Sequence, residues 1–379
     1  MTPLDGDRLR AIFDAPAPLT VGVEEELMVL DAGTLDLAPK APELIERLGG
    51  DGRFKLEMPS AQIEIASPAM RSAGDAAEFL LRARRDLAAA AHACSAQIAG
   101  SGVHPFAGEE GAINAGERYK RTVDEYGPIA RRQLVFGLQV HVAIRPADRA
   151  LAVYNGMRSF LPELLALAAN APFYRGVDTG LASVRPKLCE LLPRQGVPPA
   201  LDSWDDYAGA LEWGARAGGV PEPAVWWWEL RPHPSFGTLE VRVPDAQVTV
   251  ADSAAVVAVV HALAAWLAHR HDMGEAEPPA ATWRIEENRW QALRHGLDGS
   301  LADLRTGDPQ PARGRLDALL DALAPHAQAL DCATQLEWAR SLALRNGAER
   351  QRQVHRHGGI RALTEWLARG FEEPPPGHA

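Results

Sequence analysis

A chain of 379 residues with 46% hydrophobic and 23% charged residues has an ordinary globular composition and the length for a large core. A formal net charge of −11 argues against the basic face of a nucleic-acid binder, so an anionic substrate would need local arginines and divalent cations. Three widely spaced cysteines, Cys94, Cys189 and Cys332, fit neither a disulfide framework nor a zinc knuckle and read as reduced thiols in a cytoplasm.

Met1 to Pro18 carries no basic segment followed by an apolar one, so no secretion signal is expected. Val21 to Leu30 then alternates as a strand. Val21, Val23, Leu27 and Val29 fall on one face, and Gly22, Glu24, Glu26 and Met28 on the other. Ala41 to Leu48 reads as a short helix stopped by Gly49-Gly50. Gln62-Ile63-Glu64-Ile65 is a second alternating strand, with Glu57 just before it. Ser72 to Ile98 reads as one long helix with Ser72 as its N-cap and Cys94 on its buried side. Gly100 to Phe106 is a glycine-punctuated turn containing His104.

Leu134 to Ile144 is the third strand, with Gln139, His141 and Ala143 opposite the apolar positions. Helical segments fill Leu151 to Ala169, and a loop runs from Ala171 to Pro199. Trp226 to Pro232 leads through a turn into the fourth strand, Thr238 to Val243, with Glu240 and Arg242 on its polar face. From Ala251 onward the pattern is mostly helical. The apolar run Ala254 to Leu267 is shorter than a membrane span and reads as a buried helix, so no membrane association is expected. No linker forces a boundary, which gives one domain over residues 1–371 and a disordered tail over 372–379.

One acidic strand alone would read as a solvated edge. Four stretches with the same alternation favour a shared surface lined by Glu24, Glu26, Glu64, His141 and Glu240, with Glu57 at its edge. Carboxylates a few ångströms apart raise one another's pKa unless cations compensate them. Oxygen-rich, thiol-free donors suit Mg²⁺ or Mn²⁺. Arg242 beside Glu240, with Arg231 and Arg185 each preceding a proline in a turn, adds the planar forks that hold phosphate and carboxylate oxygens. No Walker sequence is present. The long, mostly helical connections predict an α+β fold, a curved and largely antiparallel sheet with helices on its outer face.

Gly22-Val23-Glu24-Glu25-Glu26, Gly102 to Phe106, Glu117-Arg118-Tyr119, Val140-His141-Val142, Ser183 to Pro186, Leu230-Arg231-Pro232 and Phe236 to Arg242 follow in order. Glu287 to Trp290 and Arg294 to Leu297 continue the series. Together they resemble the signatures of the type-2 glutamate–cysteine ligases, or carboxylate–amine ligases, over nearly the whole chain. The resemblance implies a catalytic fold like that of glutamine synthetase and guanido kinases. It implies ATP with Mg²⁺ (or Mn²⁺), a small-molecule carboxylate such as glutamate, an amine, and an acyl phosphate between them. It also favours a homodimer. By the same likeness Glu24, Glu26, Glu57, Glu64, His141 and Glu240 hold metal, and Arg242, Arg231 and Arg185 serve catalysis. Arg242, Arg231 and His104 would contact the nucleotide. A metal-dependent hydrolase and a non-catalytic nucleotide binder are the competing classes. Against the first, no His-Glu-x-x-His helix is present.

Considered singly, Glu25 reads as a core-edge or salt-bridged residue, Arg84-Arg85 and Arg131-Arg132 as solvated helix faces, and Ser183 as a loop hydrogen-bonder. Trp226 to Trp228 read as a core wedge or an oligomer contact.

Overall fold

The structure is a computed structural model that describes residues 5–218 and 223–377. Its frame is a seven-stranded sheet built from β1 (Val21–Asp31), β2 (Phe54–Leu56), β3 (Gln62–Ala66), β4 (Ala96–Ala99), β5 (Leu138–Val142), β6 (Leu230–His233) and β7 (Thr238–Val241). The order is β2-β3-β1-β5-β7-β6, β4 pairs with the far end of β1, and each pairing is antiparallel. The expected α+β architecture is therefore present, and β1 is its centre.

Alternation decides which face is buried. Val21, Val23, Leu27 and Val29 are at most 1% exposed and lie in the main core. The helices Ala73–Ala93 and Val250–Asp272 lie against β1 there. The second helix is long and apolar enough to cross a membrane, but it is mostly buried among the helices Ala73–Ala93, Ala147–Arg158, Ala312–Ala329 and Ala333–Leu344. Its start is fixed by a capping box in which Thr249 Oγ1 accepts from the Asp252 amide and the Asp252 carboxylate accepts in return. The far end of β1 is covered on the opposite sheet face by a second apolar cluster. There Met28 and Leu30 pack with Phe136, Leu363 and Leu367, the last two from the helix Gly347–Phe371. Along Gly22, Glu24 and Glu26 the polar face is partly buried.

Several sequence expectations change in detail. Ser72 caps its helix by accepting from the Asp75 amide, but the helix ends at Ala93 rather than Ile98. Ser95 turns the chain with φ 51°, and 96–99 becomes β4. The region 171–199 holds a small hairpin, Phe173–Tyr174 with Val177–Asp178, and a helical turn Arg185–Cys189. Arg231 lies in β6 directly opposite Glu240, not in a turn. Beyond Phe371 the chain is described to Gly377 with Pro375 buried, and His378 and Ala379 lie outside the described residues.

Candidate active site

Register brings the polar residues together. Glu26 stands opposite Glu64, Glu24 opposite Gln139, His141 opposite Glu240, and Glu240 opposite Arg231. Antiparallel partners share a face, so one surface collects all of them. Glu24, His141 and Glu240 form its tightest group, with one ligand atom from each lying within 4.8 Å of the others. His141 Nδ1 is 3.0 Å from Thr238 Oγ1, which orients the ring. Its buried Nε2 has no hydrogen-bond partner among the described residues and sits 3.6 Å from Glu24 Oε1. A ring nitrogen aimed at a carboxylate across that gap fits a cation between them.

Charge follows from the neighbours. Burial alone would raise the carboxyl pKa of Glu240, but Arg242 and Arg231 outweigh it and hold it well below the usual carboxylate range. Burial likewise pushes Glu24 up, and His141 more than reverses it. The other carboxylates lack such compensation. Burial raises Glu26 despite Arg185 and Arg242, and burial with the Glu24 charge raises Glu64. Burial and the charges of Glu64 and Glu26 push Glu57 up to about 8. Lys55 Nζ, 3.1 Å from Glu64 Oε1, and Arg118 near Glu57 offset part of this negative charge. A crowded carboxylate set that must partly protonate is one that divalent cations would relieve.

The arginines divide into two roles. Arg231 grips Glu240 with two donors, Nε–Oε2 2.6 Å and Nη2–Oε1 3.2 Å, and anchors itself through Nη1 to the Trp226 carbonyl at 2.9 Å. Arg242 Nη1 donates to Glu240 and to Gln139 Oε1. Both guanidinium groups therefore lie on the surface that holds the carboxylates. Arg185 does not face it in the same way. It donates to the carbonyls of Val243 (3.2 Å) and Arg242 (3.0 Å) and lies 3.6 Å from Asp245. Those two bonds position the Arg242 backbone, while the buried Arg185 Nε has no hydrogen-bond partner among the described residues and the guanidinium lies beside Glu26. The expectation for His104 is corrected. It is 3% exposed, its Nε2 meets the Leu35 carbonyl at 2.8 Å, and its Nδ1 accepts from the amides of Phe106 and Ala107. Both ring nitrogens are used to fold the turn, leaving none for a nucleotide.

Gln139, Lys55, Arg118, His233 and Phe236 were not among the expected site residues. Gln139 was legible as a member of the polar face of β5, and only the register shows that its amide joins Glu26 to Arg242. The helix Glu117–Tyr126 borders the surface at both sheet edges. Its Tyr119 donates to the Leu56 carbonyl at 2.7 Å, and its Tyr126 accepts from Arg194 at 2.7 Å and meets the Trp227 ring. None of its residues is buried.

The family model for glutamate–cysteine ligase family 2 matches residues 20–366. A Rubrobacter xylanophilus protein provisionally named glutamate–cysteine ligase 2-3 is 36% identical over 362 residues, covering 94% of this chain and 98% of that protein. A Thermobifida fusca protein provisionally named glutamate–cysteine ligase 2 is 32% identical, covering 96% of this chain and 94% of its own. Among solved structures, Francisella tularensis glutamate–cysteine ligase in complex with AMP superposes with TM-score 0.70 at 13% identity, over 96% of this chain and 91% of that one. A bifunctional glutathione synthetase from Pasteurella multocida gives TM-score 0.67 at 15% identity, over 97% and 54%. At such identities the structures establish the fold, and the family match supplies the class of reaction. The chain belongs to glutamate–cysteine ligase family 2 and is an ATP-dependent ligase that forms a carbon–nitrogen bond on a glutamine synthetase-like fold.

Proposed function

We propose that the protein activates a substrate carboxylate, glutamate by family likeness, with ATP as an acyl phosphate and joins it to an amine. A carboxylate oxygen attacks the γ-phosphorus and the bond to ADP breaks. The amine nitrogen then attacks the acyl carbon, phosphate leaves with the bonding pair, and the nitrogen loses a proton. The observation that carries this reading is Glu240, clamped between Arg231 and Arg242 and facing Glu24 and His141. It brings cation ligands and phosphate-binding guanidinium groups onto one surface.

Glu24, His141 and Glu240 fit a divalent cation, given the unpartnered His141 Nε2 and the oxygen-rich donors. A second cation would relieve the charge crowding among Glu26, Glu57 and Glu64. Mg²⁺ or Mn²⁺ bound there would neutralise charge on the phosphate oxygens. By family likeness Arg242, which donates to Glu240 and Gln139 and whose backbone is held by Arg185, would meet the transferring phosphate. Arg231 stiffens Glu240 from the other side. The protein contributes positioning and electrostatics, with no covalent intermediate on a side chain.

Incubation with Mg²⁺-ATP, glutamate and hydroxylamine tests this, because hydroxylamine captures an acyl phosphate whatever the natural amine. ADP together with glutamyl hydroxamate is expected. ADP release that does not depend on any carboxylate would indicate a hydrolase. No ADP with any acid tried would leave a nucleotide binder.

A further inference from the structure

The β6–β7 hairpin carries an aromatic side chain to which the chemistry above assigns no role. Phe236, at its tip, is 59% exposed. It is nevertheless fixed: its ring stacks on His233 with centroids 4.4 Å apart and planes 9° from parallel. Both rings also meet His141, at 5.6 Å from Phe236 and 5.5 Å from His233. The tip is held by its own turn, in which the Phe236 and Gly237 amides both donate to the His233 carbonyl. Gly237 has φ 61°. A Cβ there would come within 3.2 Å of the Ile12 carbonyl oxygen, so glycine is required. From behind, Arg145 donates to the Gly237 and Ala15 carbonyls.

A scattered exposed hydrophobic residue needs no explanation. One backed by a parallel imidazole, braced by a pinned turn and touching a candidate metal ligand does. Of the exposed large hydrophobic side chains among the described residues, Phe236 is the one whose ring meets a member of the Glu24–His141–Glu240 trio. A triphosphate held at that trio would leave its nucleoside within reach of the rim, where one face of the Phe236 ring is covered by His233 and the remainder is open to solvent. Aromatic rings at such places stack on a base without reading its sequence of donors. His233 Nδ1 is buried with no hydrogen-bond partner among the described residues, which leaves a polar atom beside the platform for a ribose hydroxyl.

We propose that Phe236, backed by His233, is the platform on which the purine base of ATP stacks. The assignment rests on the ATP-dependent reading above and adds the nucleobase subsite to it.

Titration calorimetry with Mg²⁺-ATP and, separately, Mg²⁺-tripolyphosphate separates the base from the phosphates. The wild-type chain should bind ATP more tightly than tripolyphosphate. Phe236→Ala should lose about 10-fold in ATP affinity and leave tripolyphosphate affinity within about twofold. Phe236→Trp should keep the preference for ATP. Thermal unfolding checks that each variant is folded, which an exposed tip residue permits. An undiminished ATP preference in Phe236→Ala would overturn the platform, and so would an equal loss of both ligands. Failure of the wild-type chain to bind either ligand would overturn the ATP reading itself.

Discussion

Arg84 closes a two-pronged ion pair on Glu25 inside the core, with Nη2–Oε1 2.7 Å and Nε–Oε2 3.0 Å. Both side chains are about 1% exposed. Glu25 thus points away from its neighbours Glu24 and Glu26, into the helix layer. Ser253 also donates to it, and Arg84 reaches the carbonyls of Gln247 and Val248. The strand that carries the site is clamped from behind by the middle glutamate of its own acidic run.

Removing one partner leaves a buried uncompensated charge. Arg84→Met should destabilise the fold by about 3–5 kcal/mol, measured as a lowered urea midpoint. The double variant Glu25→Leu/Arg84→Met should recover most of that, because the apolar pair removes both charges. A single variant as stable as wild type would show that the pair holds nothing in place.

Gln139 links the two halves of the site. Its Nε2 donates to Glu26 Oε1 at 2.8 Å while its Oε1 accepts from Arg242. Gln139→Leu should lower the hydroxamate-forming kcat by about 10–100-fold, the range for residues that orient ligands from behind. A loss confined to thermal stability, with kcat kept, would make Gln139 a packing residue only.

Cation binding should be graded along β1. Glu24→Gln should weaken Mn²⁺ binding, followed by electron paramagnetic resonance, by at least about 10-fold. Glu25→Gln, measured where circular dichroism shows the variant folded, should change it little, since that carboxylate lies on the other face. Equal losses at the two positions would reject the assignment of Glu24 as a ligand.

Acid should loosen the fold through His261. The residue lies in the buried helix Val250–Asp272, its Nε2 is 3.3 Å from the Leu19 carbonyl, and burial pushes its pKa down to about 4. The unfolded chain binds the proton more readily than the folded one, so this contribution is complete above about pH 6.5 and is lost as pH falls towards 4. Its size is on the order of 3 kcal/mol. His233, shifted the same way, adds to it. Stability curves between pH 7 and 4 should be flatter for His261→Gln than for wild type, and parallel curves would exclude His261 as the sensor.

Much of the frame was legible because strand periodicity is local. Alternation at Val21 to Leu30 names both faces of β1, and the same grammar at Gln62 to Ile65, Leu138 to Ile144 and Thr238 to Val243 names the polar surface. Ser72 as a cap and Ala254 to Leu267 as a buried helix were legible for the same reason. The end of the helix after Ser72 was not. Alanine and isoleucine continue past Cys94 with no glycine or proline stop, and β4 exists because β1 offers it an edge. Arg84 looked like a solvated helix residue, since nothing local reveals that the helix turns it toward Glu25.

The sequence by itself determined the acidic face, its histidine and the companion arginines, because residues two apart on a strand share a side whatever the rest of the chain does. Only the tertiary structure decided what each of them touches. Register joined Glu240 to Arg231 and Gln139 to Glu26 and Arg242. Burial then gave both His104 nitrogens to backbone groups and set Arg185 against the carbonyls of Arg242 and Val243. A polar side chain inside a protein takes the partner that folding sets beside it, and that partner is distant in sequence: 103 positions separate Gln139 from Arg242.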